Sequence, residues 1–264
     1  MVRIESFEQY REIVREGKQL PNVCSNCYFL PAAVRDMIDC GKLYTQQVCG
    51  GVLLLEKERT FFRCYYYLSL DSKPETVRLP MPAVVEFVFR SALSEAQRVQ
   101  VRRLEQMGFV LGRESARMYL DAANAAVGAA DAAELARESD ADRVLALIEE
   151  NFDPLYAYIG SKEALLKSIR NGWVFVIRRE TEPVAVLHAE VSKGTASIRH
   201  LTVSKACRSQ GFGRQLVLRY HEAFRAEVRG FSHWLDKNNA AAIRLYTGLG
   251  YCFDERYANE YVIK

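Results

Sequence analysis

The chain has 264 residues, 49% hydrophobic and 26% charged, a balance that excludes a disordered, collagenous or coiled-coil protein and leaves enough apolar surface for a sizeable core. Thirty-six Lys and Arg against 33 Asp and Glu give a formal charge of +3, too little excess for the phosphate grip on which nucleic-acid binding rests. The first twenty residues are charged throughout and no later stretch approaches about 18 uninterrupted apolar residues, so the expected location is cytoplasmic, with neither membrane nor nucleic acid as partner.

In the first half, helical spacing is predicted over residues 6–16 and 32–40. Apolar strands follow at 51–56, 61–70 and 84–90, then a helix at 94–107 and a strand at 115–120. Five of the seven cysteines, Cys24, Cys27, Cys40, Cys49 and Cys64, fall in this half. Without an export signal they are expected to be reduced. Cys24 and Cys27 form a C-x-x-C, but a second close-spaced pair is missing. The apolar neighbours Val23, Tyr28, Phe29 and Leu30 favour buried thiols, and no metal is expected. The run Tyr65-Tyr66-Tyr67 is read first as alternate packing in a sheet and second as a cleft lining.

Residues 122–133, AANAAVGAADAA, have little side-chain surface to bury. They divide the chain into an N-terminal α/β domain at 1–121, a linker at 122–132 and a C-terminal domain at 133–264. The C-terminal domain opens with a capped helix from Glu138 and a second helix from Ser161 to Gly172. Strands are expected at 173–178, 184–191 and 196–203, a helix at 213–224, a strand at FSHWL, a helix at 240–249 and a last strand at 257–263. This order, ααβββαβαβ, makes a mixed sheet flanked by helices.

Two motifs carry chemistry. After the strand ending in Val203 comes Arg208-x-x-Gly211-x-Gly213, followed by a helix beginning at Arg214. A strand, a glycine turn and a helix N-terminus together offer backbone N–H groups and a positive dipole end to a pyrophosphate. About 25 residues further on stands Asn239-x-x-Ala242-Ile243-Arg244-Leu245-Tyr246-x-x-Leu249-Gly250-Tyr251. Taken together, the pair resembles the pyrophosphate loop and the Asn…Tyr helix of the GNAT N-acetyltransferase superfamily, over about residues 133–264.

That resemblance implies a GNAT-like α/β fold, acetyl-CoA as cofactor, no metal, and a small-molecule or peptide amine as acceptor. It implies that Leu201, Thr202 and Val203 contact pantetheine and that Arg208, Ser209, Gln210, Gly211, Phe212, Gly213 and Arg214 form the pyrophosphate turn. It further implies a cofactor contact for Asn239, and for Tyr246 a proton donated to the departing thiolate. Asn239 as a simple helix N-cap and Tyr246 as a core residue stand beside those roles. The general base is left among Glu190, His200, His188 and His233, with Glu190 and His200 ranked first; Ser197 occupies the strand position where a base often sits in the family. No cysteine is placed for a covalent route.

At an offset of 142 residues, Met107-Gly108-Phe109 aligns with Leu249-Gly250-Tyr251, and Leu104 takes the place of Tyr246. The first half is therefore expected to be a diverged, catalytically empty copy that shapes the acceptor side, as paired lobes do in tandem-GNAT enzymes such as peptidoglycan aminoacyl transferases. A tandem-fold aminoacyl or long-chain acyl transferase and a non-catalytic CoA-binding module are the alternatives to acetyl transfer.

Overall fold

In the computed structural model, which describes residues 1–128 and 130–264, the chain passes from one unit to the next within strands. The units are Met1–Glu114 with Tyr257–Lys264, and Ser115–Arg256. The alanine-rich segment expected to link two domains therefore lies inside the second unit. Ala122, Ala125 and Ala130 are buried there, in the core that holds Leu120 and Val217, because small side chains let backbone approach where larger ones would clash. Among the described residues no helix is long and apolar enough to cross a membrane.

The first unit begins with β1 (Val2–Arg3), α1 (Phe7–Lys18), β2 (Val23–Ser25) and α2 (Pro31–Asp39). The strands β3 (Leu43–Val48), β4 (Gly51–Lys57) and β5 (Phe62–Ser69) make an antiparallel meander, followed by β6 (Ala83–Arg90), α3 (Glu95–Gln106) and the start of β7 (Val110–Asp121). Ser6 caps α1 through the Gln9 N–H, and Ser94 and Gln97 close a capping box on α3. Residues 70–82 join β5 to β6 without a helix. Cys24 packs with Leu53, Leu55 and Tyr66, whereas Cys27 packs in a different cluster with Ile4, Val34 and Leu43. The two thiols are separated by alternation along the chain, and all seven cysteines are free. The tyrosine run packs in the sheet, Tyr66 in one core and Tyr67 in the other.

β5 runs parallel to β6 over only two residue pairs, Phe62 with Ala83 and Arg63 with Val84. Beyond them the edge of β5 is occupied by the connector between α1 and α2. β2 pairs antiparallel with it, Val23 opposite Ser69 and Ser25 opposite Tyr67. Asn26 then donates to the Cys64 carbonyl (3.2 Å) and accepts from the Tyr66 N–H (2.9 Å).

The second unit continues with β8 (Ala133–Leu135), α4 (Ala141–Glu149), α5 (Lys162–Arg170), β9 (Val174–Arg179), β10 (Glu182–Ser192) and β11 (Thr195–Val203). Then follow α6 (Phe212–Phe224), β12 (Gly230–Asp236), α7 (Ala240–Thr247) and β13 (Cys252–Ile263), whose end belongs to the first unit. β8 to β11 are antiparallel neighbours, β12 is parallel to β11, and β7 is antiparallel to β12. On one face α4 and α5 bury Val144, Leu147 and Leu165 against Val174, Val176 and Val186. On the other, α6 and α7 bury Leu216, Tyr220 and Tyr246 against Phe175, Leu187 and Ile198. The first helix starts at Ala141, after a 3₁₀ turn at Glu138–Asp140, because the Asp140 carboxylate accepts from the Arg137 N–H and from Arg178.

β11 contains the irregularity that shapes the site. His188 pairs with His200 but Ala189 pairs with Ile198, which leaves Arg199 as an extra residue. Such a bulge reverses the facing of every later side chain on the strand. Ile198 lies in the α6/α7 core, whereas His200 turns to the α4/α5 face, its ring 5.0 Å from that of Phe152. Pairing with β12 ends at the same point, Ile198 opposite His233.

Candidate active site

Three features of the second unit converge around the bulge. The first is the turn between β11 and α6. Gly211 has φ +79° and caps α6, and a Cβ built on it meets nothing within 4 Å. Ser209 also has positive φ (+62°). Ser209 and Gly211 are thus left-handed just ahead of the helix start, and the first N–H groups of α6 have no intrahelical acceptor. The side chains of the turn fasten it. Arg208 donates to Asn151 Oδ1 (2.6 Å) and the Val203 carbonyl (3.2 Å), Gln210 accepts from Arg179 (2.6 Å), and Arg214 reaches the Gly248 carbonyl (3.5 Å). Arg208 is thus tied to the segment after α4, a contact that its position in the sequence does not reveal.

The second feature is the opening between β11 and β12. Past Ile198 and His233, no described strand pairs with the edge of β11 that carries residues 199–203. Leu201 and Val203 pack partly against the α6/α7 core, and Thr202 is buried. On the α6/α7 side, Tyr246 is 1% exposed, its ring 4.6 Å from His233 and 5.2 Å from Tyr251. It is a core residue by packing, yet its hydroxyl is buried without a hydrogen-bond partner, as is that of Tyr220. An unpaired buried hydroxyl costs about 1–3 kcal/mol, which a phenylalanine would avoid. Burial also raises the Tyr246 pKa, so the phenol keeps its proton. Tyr251, by contrast, bonds His221 Nε2 (2.9 Å). Asn239 is the N-cap of α7, accepting from the Ala242 N–H (3.0 Å).

The third feature is a cavity of about 390 Å³ on the α4/α5 face. Its floor is a pair of stacked imidazoles, His188 and His200, with Nδ1 atoms 3.4 Å apart; His188 Nε2 lies 3.0 Å from Ser168 Oγ. A hydrogen bond between two Nδ1 atoms requires one to donate and the other to accept, so the two rings cannot both be protonated. Burial, then Arg199, takes His188 down to about 4. Burial, then His188, Arg199 and His233, takes His200 down to about 3. Burial takes His233 down to about 4; its Nδ1 is 3.1 Å from the Ile198 carbonyl, on the opposite face from the imidazole pair. Glu190 lies at the rim, half-exposed, with its carboxylate 3.4 Å from Arg199. Ser197 is hydrogen-bonded to Ser232 (2.7 Å). The structure thus gathers His188, His200, Glu190 and Arg199 into one cavity and leaves His233 outside it. Ser168, Lys167, Tyr158 and Trp173 also line it; they come from separate elements with no shared motif, so no local signal marks them. Among the described residues no group of three or more His, Cys, Asp or Glu is placed to hold a metal ion.

A parallel strand pair that separates, a glycine turn at a helix start and a cavity on the other face of the sheet occur together in the second unit. Residues 144–251, which lie within the second unit, match the family model described as "Acetyltransferase (GNAT) family". The fold of the chain is similar to that of a GCN5-related N-acetyltransferase from Sphaerobacter thermophilus (16% identity, 89% of this chain and 85% of that one, TM-score 0.57). It is also similar to a GCN5-related N-acetyltransferase from Kribbella flavida (15%, 88% and 92%, TM-score 0.52). A third similar structure is a tandem GNAT protein from the clavulanic acid biosynthesis pathway (12%, 99% and 97%, TM-score 0.52). At these identities the likeness is one of fold. No curated protein matches the chain.

Proposed function

We propose that the second unit transfers an acetyl group from acetyl-CoA to a small-molecule or peptide amine by direct attack within a ternary complex. The observation that carries this reading is the bulge at Arg199, where one extra residue ends the β11–β12 pairing and turns His200 into the cavity. It sets an open strand edge between a buried phenol on one face and two neutral imidazoles on the other.

The residues fit the cofactor. The left-handed Gly211 with open space at its Cβ position suits a diphosphate held by backbone N–H groups, with Arg208, Ser209, Gln210, Phe212, Gly213 and Arg214 completing the turn. Leu201, Thr202 and Val203 carry the strand edge that the amides of an extended ligand would satisfy, as an added strand does. Asn239 caps α7 and would contact the cofactor from there. When bound, acetyl-CoA supplies the acyl group as an activated thioester. His200 and Glu190 are the candidates to accept the proton of the amine; the burial that takes His200 down to about 3 makes it a weak base, and Arg199 already holds Glu190. Tyr246 holds a proton at Oη for a leaving thiolate, and the lack of another partner for that hydroxyl supports the role.

The first unit is read as a diverged GNAT-like copy without a cofactor site. Its elements follow the order of the second unit except that β2 stands between α1 and α2 and that no helix stands between β5 and β6. Both halves end a helix in the same turn: the Phe109 N–H bonds the Leu104 carbonyl and the Tyr251 N–H bonds that of Tyr246, each at 3.0 Å, with Gly108 and Gly250 at φ +99° and +91°. Calorimetry tests the whole reading. One equivalent of acetyl-CoA should bind, and Gly211→Val should abolish binding, since a β-branched residue is strained at φ +79°. A folded Gly211→Val protein with parental affinity would show that the turn is misassigned.

A further inference from the structure

The acceptor is constrained by the lining of the cavity, an argument that rests on the acetyl-transfer reading above. A volume of about 390 Å³ is at the lower end for small-molecule sites. The walls are apolar, with Leu145 and Ile148 from α4, Ile159 from the connector and Trp173 at the head of β9. Element by element, the titratable groups facing it are Lys167 on α5, Tyr158 on the connector, His188 and Glu190 on β10, and Arg199 and His200 on β11; α4 contributes none.

Among the described lining residues there is one carboxylate, Glu190, and it lies 3.4 Å from Arg199. The Arg199 guanidinium also sits over the Tyr158 ring, 5.5 Å from its centroid. Lys167 is a second cation at the same cavity. The two imidazoles are bonded to each other and to Ser168. A charged ammonium entering this space meets two cations, one carboxylate already matched and a neutral floor. An amine carrying several charges would need the opposite, a lining rich in uncommitted carboxylates.

We infer that the acceptor is a weakly basic primary amine on an apolar body about the size of one aromatic ring, of the kind found in the α-amine of an apolar amino acid amide. Polyamines, aminoglycosides and lysine side chains are excluded by the same lining. In the transfer the amine nitrogen bonds the acyl carbon and the C–S bond breaks; the nitrogen gives up one proton and the sulfur takes one, so no further reactant is required. The amine enters in its neutral form, and the site selects amines that are partly neutral at working pH.

Phenylalaninamide and 2-phenylethylamine present the same ring with different basicity, an α-amine near about 7.7–8.0 and an alkylamine near about 10.4. With acetyl-CoA at pH 7, CoA release should favour phenylalaninamide in kcat/KM by on the order of 10²-fold, following the neutral fractions, and the gap should close as the pH approaches 10. Spermidine should be turned over more slowly than either. Calorimetry of phenylalaninamide against the CoA-loaded protein gives a readout independent of turnover, and binding is expected. Spermidine or an aminoglycoside used as fast as phenylalaninamide overturns the inference, and so does a protein that binds acetyl-CoA but neither binds nor acetylates phenylalaninamide. A protein that binds no acetyl-CoA overturns the acetyl-transfer reading itself, which that arm identifies separately.

Discussion

In both units a pair of parallel strands separates after a short run of shared register: β5 and β6 after Arg63 and Val84, β11 and β12 after Ile198 and His233. What differs is the segment between the first two helices of each unit. In the first, residues 23–26 run along the freed edge of β5, where β2 and Asn26 bond the backbone of Cys64 to Ser69. In the second, the corresponding connector is curled. Asp153 accepts through Oδ1 from the Leu155 N–H (2.9 Å) and through its carbonyl from the Tyr156 and Ala157 N–H groups, and Pro154 has no N–H to offer a sheet. That segment lines the cavity with Tyr158 and Ile159 instead. The same architecture therefore makes a closed scaffold or an open slot according to whether a few residues of its own connector can act as a strand.

The largest test of this contrast removes one oxygen from the open side. Tyr246→Phe keeps the ring against His233 and Tyr251 and removes the unpaired buried hydroxyl, so thermal stability should hold or rise. If its hydroxyl supplies the proton, kcat should fall by roughly 10²–10⁴-fold with KM for acetyl-CoA nearly constant. Parental kcat would return Tyr246 to a purely structural role.

Mild acid separates the units next. All four histidines, His188, His200, His221 and His233, lie in the second unit, and burial lowers the pKa of each below the ordinary 6.5. A histidine with a depressed folded value takes up protons more readily when unfolded. Its contribution is complete above pH 6.5 and is lost as the pH falls toward the folded values of about 4 and 3 for the imidazole pair. Between pH 6.5 and 5.5 His188 and His200 should each cost the second unit on the order of 1 kcal/mol. Both tryptophans, Trp173 and Trp234, are also in this unit, so their fluorescence in urea titrations follows it alone. A midpoint that does not move over that pH range would contradict the neutral, buried imidazoles.

A smaller effect is expected at the turn. Arg208→Ala removes a charged donor from the glycine turn and frees Asn151; if the turn holds the diphosphate as proposed, acetyl-CoA binding should weaken by on the order of 1.5–3 kcal/mol, measured by calorimetry. The smallest concerns the closed side: Asn26→Ala leaves the Cys64 carbonyl and the Tyr66 N–H without their partner. It should destabilise the first unit by about 1–3 kcal/mol. The stoichiometry of acetyl-CoA should stay at one equivalent, because the first unit also lacks the helix that would carry a phosphate turn; a second equivalent in this variant would mean that the plug alone keeps the slot shut.

Much of the architecture is legible in local sequence. Helices with a capping serine and a sustained apolar stripe, such as α1, α3 and α5, lie where spacing predicts them. β3 escapes prediction because LYTQQV carries two glutamines and becomes a strand through its pairing with β4. β2 escapes because three residues have no period. The last strand begins at Cys252 rather than 257, since Asp254, Glu255 and Arg256 interrupt the apolar pattern and that stretch gains its place from tertiary contacts such as the ion pair of Asp254 with Arg117.

What the sequence by itself determined is the chemistry that a continuous stretch can encode: the glycine turn of residues 208–214, which needs a left-handed residue at Gly211, and the helix that Asn239 caps and Tyr246 occupies. Both depend on neighbours within a few residues, so pattern suffices. Only the tertiary structure decided that His188 and His200 meet as a neutral pair, that Arg199 is the bulge turning His200 toward α4 and α5, and that residues 23–26 fill one slot while 153–158 leave the other open. These outcomes depend on which strand edge is left without a partner, and a backbone N–H or C=O finds that partner across the fold rather than along the chain.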